Sequence, residues 1–462
     1  MTPIHYDVIV IGSGPAGQKA AVQAAKAGKR AVIIERERTV GGACVFRGTI
    51  PSKTLRESAL RAQTLKSSAD LFDGKLRDEI ELGPLMSRLD AVVSAHSGYM
   101  ANQLERNGIK RLHGRARFVS TNQIDVEALG GKLTRLEGSA IIIASGSRPR
   151  LPPGMPIDHE NILDSDSILS LAWLPQSLVV LGAGVIACEY ASVFAHLGTK
   201  VTIIDSGDRP LRFLDAELTA QFVAALERTG GRFLGGRGVE TVRWDEVSQV
   251  VTTSKSGEQI RSDKVLVTLG RVANVEGLGL EAAGLRVNAR GLLDVNEHCQ
   301  TAVPHIYGVG DVIGPPALAT TAMEQGRRAV RHALGLPAGG SADSIPVGVY
   351  TIPEMASVGL DEEAAKKLHG SCLVGRARFD EVARGQISGL QGGLLKLIAD
   401  PTGQRVLGVQ IVGEGATELV HLGQMALISG MSIDGFIDTV FNFPTLAEAY
   451  RVAALHIASQ RE

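Results

Sequence analysis

Two short stretches of this chain carry the residue types that grip a phosphate. The first reads Gly12-Ser13-Gly14-Pro15-Ala16-Gly17 and leads on to the carboxylate of Glu35. The second reads Gly182-Ala183-Gly184-Val185-Ile186-Ala187, and Asp205 follows Gly182 at the interval by which Glu35 follows Gly12. Gly12 permits a tight turn, Gly14 lets the backbone approach a pyrophosphate, and Gly17 lets a helix close on the strand before it. The N–H groups and positive dipole end of the following helix face the anion. Glu35 and Asp205 are then placed to accept hydrogen bonds from ribose hydroxyls.

The flanking elements suit that chemistry. Each loop follows an all-apolar run, Val8–Ile11 or Leu178–Leu181, and opens an alanine-rich helical stretch that ends near Gly28 or Gly198. A second apolar run, Ala31–Ile34 or Val201–Ile204, then carries the acid. Strands without polar alternation, separated by helices, are buried on both faces and belong to parallel βαβ units. A single glycine fingerprint is weak evidence. Two copies, each with its strand, helix and acid, predict two dinucleotide-binding units of Rossmann type.

Composition bounds the rest. The chain has 462 residues, enough for about three domains. Its 48 Lys plus Arg balance 49 Asp plus Glu, and no basic excess points to nucleic acid. The four cysteines, Cys44, Cys188, Cys299 and Cys372, have neither disulfide-framework nor zinc spacing, which suits a reducing compartment. No basic segment precedes the short Val8–Ile11 run, so the expectation is a cytoplasmic protein that does not enter a membrane. The chain is expected to leave its first unit after Ser145-Gly146-Ser147-Arg148-Pro149 and to return to it after Gly270-Arg271. From about 341 onward an α+β unit is expected. The run Asp361-Glu362-Glu363 reads as a solvated helix start.

Taken together these motifs resemble the pyridine nucleotide–disulfide oxidoreductases over essentially the whole chain. The resemblance implies an α/β fold with two Rossmann-like dinucleotide-binding domains, for FAD and NAD(P), and a C-terminal α+β dimerisation domain. It divides the chain into residues 1–148 (FAD), 149–270 (NAD(P)), 271–340 (FAD, return segment) and 341–462 (homodimer interface). It assigns to the flavin the first glycine loop with Glu35 and Arg36, the Gly41-Gly42-Ala43-Cys44 turn, Gly48, Gly114 and Ala144-Ser145-Gly146. Asp311, after Gly310, would hold the ribityl chain, and Leu318-Ala319-Thr320 would line the flavin ring with backbone groups. Gly182, Gly184, Val185, Ile186, Asp205 and Arg209 would contact the nicotinamide nucleotide, with Gly270-Arg271 closing over it. Lys53 and Glu189 would form a catalytic charged pair at the junction of flavin and nicotinamide. Tyr350-Thr351-Ile352-Pro353-Glu354 resembles the opening of the dimer-interface domain.

The departures from the family pattern carry the expectation about reaction type. Disulfide-reducing members have a second cysteine where this chain has Thr49, and a hydroxyl cannot form a disulfide with Cys44. They also need a proton-carrying histidine where this chain has Phe443, in Phe441-Asn442-Phe443-Pro444-Thr445-Leu446-Ala447-Glu448. Hydride exchange between nicotinamides through a flavin needs neither group. Gly48–Arg56 and Phe441–Leu455 resemble the soluble pyridine nucleotide transhydrogenase subgroup, which implies ping-pong hydride transfer between NADPH and NAD through FAD, of the Si-specific type. The alternatives are an NAD(P)H oxidase or diaphorase feeding oxygen, quinone or metal, and a flavin redox sensor acting through Cys44. The resemblance also implies that Phe443 reaches the partner subunit's flavin and that the bond before Pro444 is cis. Asp205 favours the free ribose of NAD, while Arg209 and Arg212 either reach a 2′-phosphate or are surface charges.

Overall fold

The computed structural model describes residues 2–68, 80–337, 339, 344–390 and 392–461. Its helices include α1 (Pro15–Lys26), α2 (Gly42–Phe46), α3 (Thr49–Ser67), α4 (Leu82–Arg106) and α5 (Val185–His196). α6 (Ala216–Arg228), α7 (Ala319–Ala333) and α8 (Glu362–His369) follow. The apolar run at the start is the strand Ile4–Ile11, in which Val8, Ile9 and Val10 are fully buried. It lies parallel to Ala31–Glu35 on one side and to Leu133–Ile143 on the other. Lys110–His113 and Ile306–Gly308 extend the same sheet in parallel. The antiparallel pair Arg115–Phe118 and Gln123–Glu127 joins it through Leu133–Ile143.

The second copy builds its own parallel sheet, in the order Arg232–Leu234, Lys200–Ile204, Ser177–Leu181, Lys264–Val267, Ile162–Leu163. The two glycine loops adopt the same backbone. Gly12 has φ +101° and Gly182 has φ +100°, a region that a residue with a Cβ rarely enters. A Cβ on Gly17 would lie 2.0 Å from the Gly12 carbonyl oxygen, so the first helix can sit on its strand only as glycine. α7 returns to close that unit: a Cβ on Gly326 would lie 2.2 Å from the Ala16 carbonyl oxygen.

The chain crosses between these units on a paired hinge. Ser147–Pro149, where it leaves, pairs antiparallel with Arg271–Ala273, where it comes back. The expected boundary between residues 340 and 341 lies outside the described residues. Beyond it, five antiparallel strands follow the order Val347–Val349, Met355–Gly359, Val406–Val412, Leu394–Ala399, Leu373–Arg378. Among the described residues no helix is long and apolar enough to cross a membrane.

The C-terminal sheet is locked to the second nucleotide unit by a buried charge cluster. Lys396, 3% exposed, reaches Asp215 at 2.8 Å, Glu217 at 3.2 Å and Glu362 at 2.7 Å. Arg376 bridges Glu217 and Glu362 at 3.0 and 3.2 Å. Glu362 is therefore not the solvated carboxylate expected of a helix start. Only its neighbour Asp361 caps α8, accepting from the Ala364 N–H. Hydrogen bonds from Lys366 and Lys396 hold the Glu362 carboxyl down at about 2. A depressed folded-state value stabilises the fold above the ordinary 4.5, and that stabilisation is lost as pH falls toward 2. Removing one partner of a buried ion pair strands the others, at about 3–5 kcal/mol. Lys396→Met should thus lower the unfolding free energy at pH 7 by about 3 kcal/mol or more, read from denaturant unfolding of the dimer. Glu362→Gln should flatten the acid side of the stability–pH curve.

Candidate functional site

The first glycine loop is tied to its strand end by one side chain. Ser13 donates from its N–H and its hydroxyl to Glu35 Oε2, at 2.9 and 2.7 Å, and accepts from the Gly41 N–H at 3.2 Å. Glu35 Oε1 accepts from the Glu37 N–H, which leaves the carboxylate further lone pairs for a ribose. Gly42, with φ +60°, brings the start of α2 onto the loop, where a Cβ would meet the Gly14 Cα at 2.9 Å. Gly114 donates to the Glu35 carbonyl, and His113 bonds the Arg36 carbonyl. A cavity of ≈ 620 Å³ opens beside Glu35 between Arg38, Lys110 and His113.

Ala144-Ser145-Gly146 and Gly310-Asp311, which the resemblance assigns to the flavin, follow the C-terminal ends of the paired parallel strands Leu133–Ile143 and Ile306–Gly308. The Ala144 carbonyl packs under Gly12, and the next residue, Ser145, has a buried hydroxyl with no partner among the described residues. An orphaned hydroxyl at the mouth of a phosphate-type loop fits a polar ligand seated there. Asp311 accepts from the Ser147 hydroxyl at 2.5 Å, and a Cβ on Gly310 would meet the methyls of Ala16 and Ala322 at 3.4 and 3.5 Å. Leu318 caps α7, so Ala319 and Thr320 present its first turn. These residues fit the FAD group that the family resemblance implies.

Arg271, expected with Gly270 to close over the second nucleotide, stands where the two units meet. Its guanidinium donates to the Ser147 hydroxyl at 2.8 Å and to the Ser147 carbonyl at 2.9 Å. It also donates to the Ser165 hydroxyl of the second unit at 3.4 Å, and the strand pairing of Arg271–Ala273 with Ser147–Pro149 anchors its backbone.

Lys53 and Glu189 do meet. Lys53 Nζ lies 2.6 Å from Glu189 Oε2, and the Glu189 side chain is only 7% exposed. α3 supplies the ammonium and α5, the helix opened by the second glycine loop, supplies the carboxylate. Glu189 Oε1 accepts from the Tyr350 N–H at 2.9 Å, and Lys53 Nζ lies 4.8 Å from the centre of the Tyr350 ring. Sequence reasoning assigned Tyr350 to the interface domain alone. The signal for its second role was the helical spacing of Arg56 after Lys53 and of Ser192 after Glu189, since both of these also bind the 350–354 segment.

Cys44 stands beside this pair with Thr49 as its neighbour. Burial pushes the Cys44 thiol above its ordinary range, against smaller lowering effects of the Thr49 hydroxyl and Lys53. At neutral pH it is a thiol, not a thiolate. All four cysteines are unpaired.

At the second loop, Asp205 repeats the arrangement of Glu35. Its Oδ2 accepts from the Ala183 N–H at 3.0 Å and its Oδ1 from the Gly207 N–H at 2.6 Å. Arg209 is turned into its own loop, donating to the carbonyls of Leu214 and Arg212. Arg212 is the free base. Its guanidinium occupies the space that Gly207 leaves: a Cβ there would meet Arg212 Cζ and Asp205 Oδ1, each at 2.9 Å. The Arg212 guanidinium has no hydrogen-bond or ion-pair partner among the described residues, although the Arg212 carbonyl accepts from Arg209. Val185 and Ile186 are partly exposed in the first turn of α5. Phe443, joined to Pro444 by a cis bond, is 69% exposed on the single chain, and Glu448 accepts from the Thr445 N–H.

Comparison with known proteins shows which family the chain belongs to. The family model described as pyridine nucleotide-disulphide oxidoreductase matches residues 6–326, and that family's dimerisation-domain model matches residues 345–454. A protein of Mycobacterium tuberculosis named soluble pyridine nucleotide transhydrogenase is 44% identical over 459 residues, 99% of this chain and 98% of its own. Its namesake in Yersinia enterocolitica is 40% identical over 456 residues, 98% of each chain. Among solved structures, LpdA from Mycobacterium tuberculosis superposes with a TM-score of 0.91 at 26% identity, covering 98% of this chain and 99% of the other. The HOCl-induced flavoprotein disulfide reductase RclA from Escherichia coli gives 0.88 at 27% identity, covering 97% and 99%. With both family models matched and relatives spanning its whole length, the chain belongs to the pyridine nucleotide-disulphide oxidoreductases, flavoproteins that work with FAD and NAD(P) and pair through a dimerisation domain.

Proposed function

We propose that this oxidoreductase transfers hydride between NADPH and NAD at a single nicotinamide site, in a ping-pong cycle of the Si-specific type. On this reading residues 1–148 and 271–340 hold FAD, residues 149–270 hold the nicotinamide nucleotide, and residues 341–462 pair the subunits. The observation that carries the reading is the site around α2 and α3, where the Lys53–Glu189 pair is intact while Cys44 faces a threonine. Bound FAD supplies a group able to take and return a hydride, the one chemical capacity the side chains here lack.

The chain's own residues do the rest. Lys53 places a positive charge, held by Glu189, where negative charge develops on reduction. Cys44, kept protonated, has no thiol partner with which to store the two electrons as a dithiol. Phe443 cannot carry the proton that thiol exchange requires. In the dimer we place it against the partner subunit's flavin, where it excludes water and bulky disulfides. That placement accounts for an aromatic ring left 69% exposed on one chain. A redox sensor acting through Cys44 is disfavoured, because it needs a thiolate that burial opposes.

Turnover of the purified FAD-loaded dimer tests the proposal. With NADPH as donor, a spectrally distinct NAD analogue should be reduced faster than oxygen or quinone, and lipoamide and glutathione disulfide should be reduced negligibly. Faster turnover with oxygen or quinone identifies an oxidase or diaphorase instead, and appreciable disulfide reduction overturns the argument from Thr49 and Phe443.

Nucleotide choice follows from Asp205 and Arg212. A charge-assisted hydrogen bond contributes about 1.5–3 kcal/mol, roughly ten- to hundredfold in affinity. Arg212→Ala should weaken NADPH by about that factor and leave NADH within a few-fold. Asp205→Ala should weaken NADH and favour NADPH, by loss of a ribose acceptor and of a like charge near the 2′-phosphate. Dissociation constants measured by titration of the oxidised and reduced nucleotides check both.

A further inference from the structure

The segment Tyr350–Glu354 enters the C-terminal sheet, yet its polar contacts run back to the two helices that carry the charged pair. On α5, Glu189 accepts from the Tyr350 N–H at 2.9 Å, and one turn later the Ser192 hydroxyl accepts from the Ile352 N–H at 3.2 Å. On α3, Lys53 lies over the Tyr350 ring, and one turn later Arg56 donates from Nε to the Thr351 carbonyl at 2.9 Å. Arg56 also pairs with Glu354 at 3.0 Å, and both side chains are nearly buried, at 11% and 12% exposure. Glu354 is fixed in turn, its Oε2 accepting from the Thr417 N–H and hydroxyl at 3.1 and 2.7 Å.

We infer that this segment is a strap that sets the distance between α3 and α5, and that Arg56 and Glu354 are positioning residues for the Lys53–Glu189 pair. Arg56 makes no hydrogen bond or ion pair with either member of the pair. Its planar fork binds the strap at a backbone oxygen and a carboxylate together, which an ammonium cannot reproduce. With the fork in place, the Tyr350 amide is aimed at Glu189. Without it, α3 is free to shift against α5, and a displacement of about 1 Å at a reacting centre costs on the order of a hundredfold in rate. The interface domain thereby acts on hydride transfer through the chain itself, whatever the partner subunit contributes.

The inference rests on the reading of Lys53 and Glu189 as the hydride site, and the test separates the two. Arg56→Met, Arg56→Lys, Glu354→Gln and Lys53→Met are compared as FAD-loaded dimers. One measurement is amide-hydrogen exchange at Tyr350; the other is the limiting rate of flavin reduction by NADPH in rapid mixing. Arg56→Met and Glu354→Gln should speed Tyr350 exchange and slow reduction about ten- to hundredfold, with NADPH affinity and FAD content within about twofold of the parent. Arg56→Lys, which keeps the charge but loses the fork, should fall between Arg56→Met and the parent on both measurements. If Lys53→Met slows reduction but Arg56→Met does not, or if Tyr350 exchange is unchanged in Arg56→Met, the positioning role is wrong and the hydride site stands. If Lys53→Met reduces at the parental rate, the hydride site is wrong and the strap's role falls with it.

Discussion

A carboxylate removed from water must be answered by donors, and Glu189 is where three parts of this chain give that answer. It projects from α5, the helix of the second nucleotide loop, with its side chain 7% exposed. Lys53 reaches it from the flavin-side helix α3, and the Tyr350 amide reaches it from the C-terminal unit. A buried pair contributes little net stability against a well-packed apolar alternative, because desolvation offsets attraction. Its value here is geometric. Satisfying one carboxylate requires all three parts to be in register, so the same contacts that cancel the charge define the distance between the two nucleotide loops. The buried Lys396 cluster is a second tie between the nucleotide unit and the C-terminal sheet, through Asp215 and Glu217 at the start of α6.

The repeat was legible because its causes are local. A turn with φ near +100° at both Gly12 and Gly182 needs glycine, and an acid at the end of the next strand is fixed by the βαβ unit's own length. Pairing of Lys53 with Glu189 was legible only through resemblance, since the two are far apart in the chain. Other features depend on which way a long side chain turns across a boundary, which spacing does not encode. Arg209 and Arg212 look alike in the sequence. In the fold Arg209 is spent on the carbonyls of its own loop and Arg212 is free. Arg271 follows a glycine at the mouth of the second unit, and in the fold it also binds Ser147 across the hinge pairing. Glu362 lies in an acidic run typical of a solvated helix start, and only the folded sheet reveals Lys396 beneath it.

On the proposed reading, the thiol position shows how a fold persists when part of its chemistry changes. Thr49 is nearly the size of a cysteine and still offers a polar group to Cys44. What changes, on that reading, is the electron capacity of the site. A thiol held protonated by burial neither attacks a disulfide nor perturbs a neighbouring ring as an anion would. On the same reading Phe443 alters the other half of that relay in the same direction, by putting an apolar surface where disulfide-reducing members have a proton carrier.

On the proposed reading one site must take a nucleotide with a 2′-phosphate and one with a free 2′-hydroxyl, and the loop after Lys200–Ile204 suits both. An acid and a base this close would ordinarily collapse into an ion pair and serve neither ligand. Two backbone amides oppose it, because the Ala183 and Gly207 N–H groups each bind one Asp205 oxygen. Gly207 contributes a second way, since any side chain there would strike both Asp205 and the Arg212 guanidinium. The acid is thus anchored by the fold, while the base stays unpaired on a flexible stem. A ribose hydroxyl meets the fixed carboxylate, and a phosphate meets a cation with no prior partner to displace. Discrimination between the two nucleotides is kept low by the same geometry, which is what alternating occupancy of one site demands.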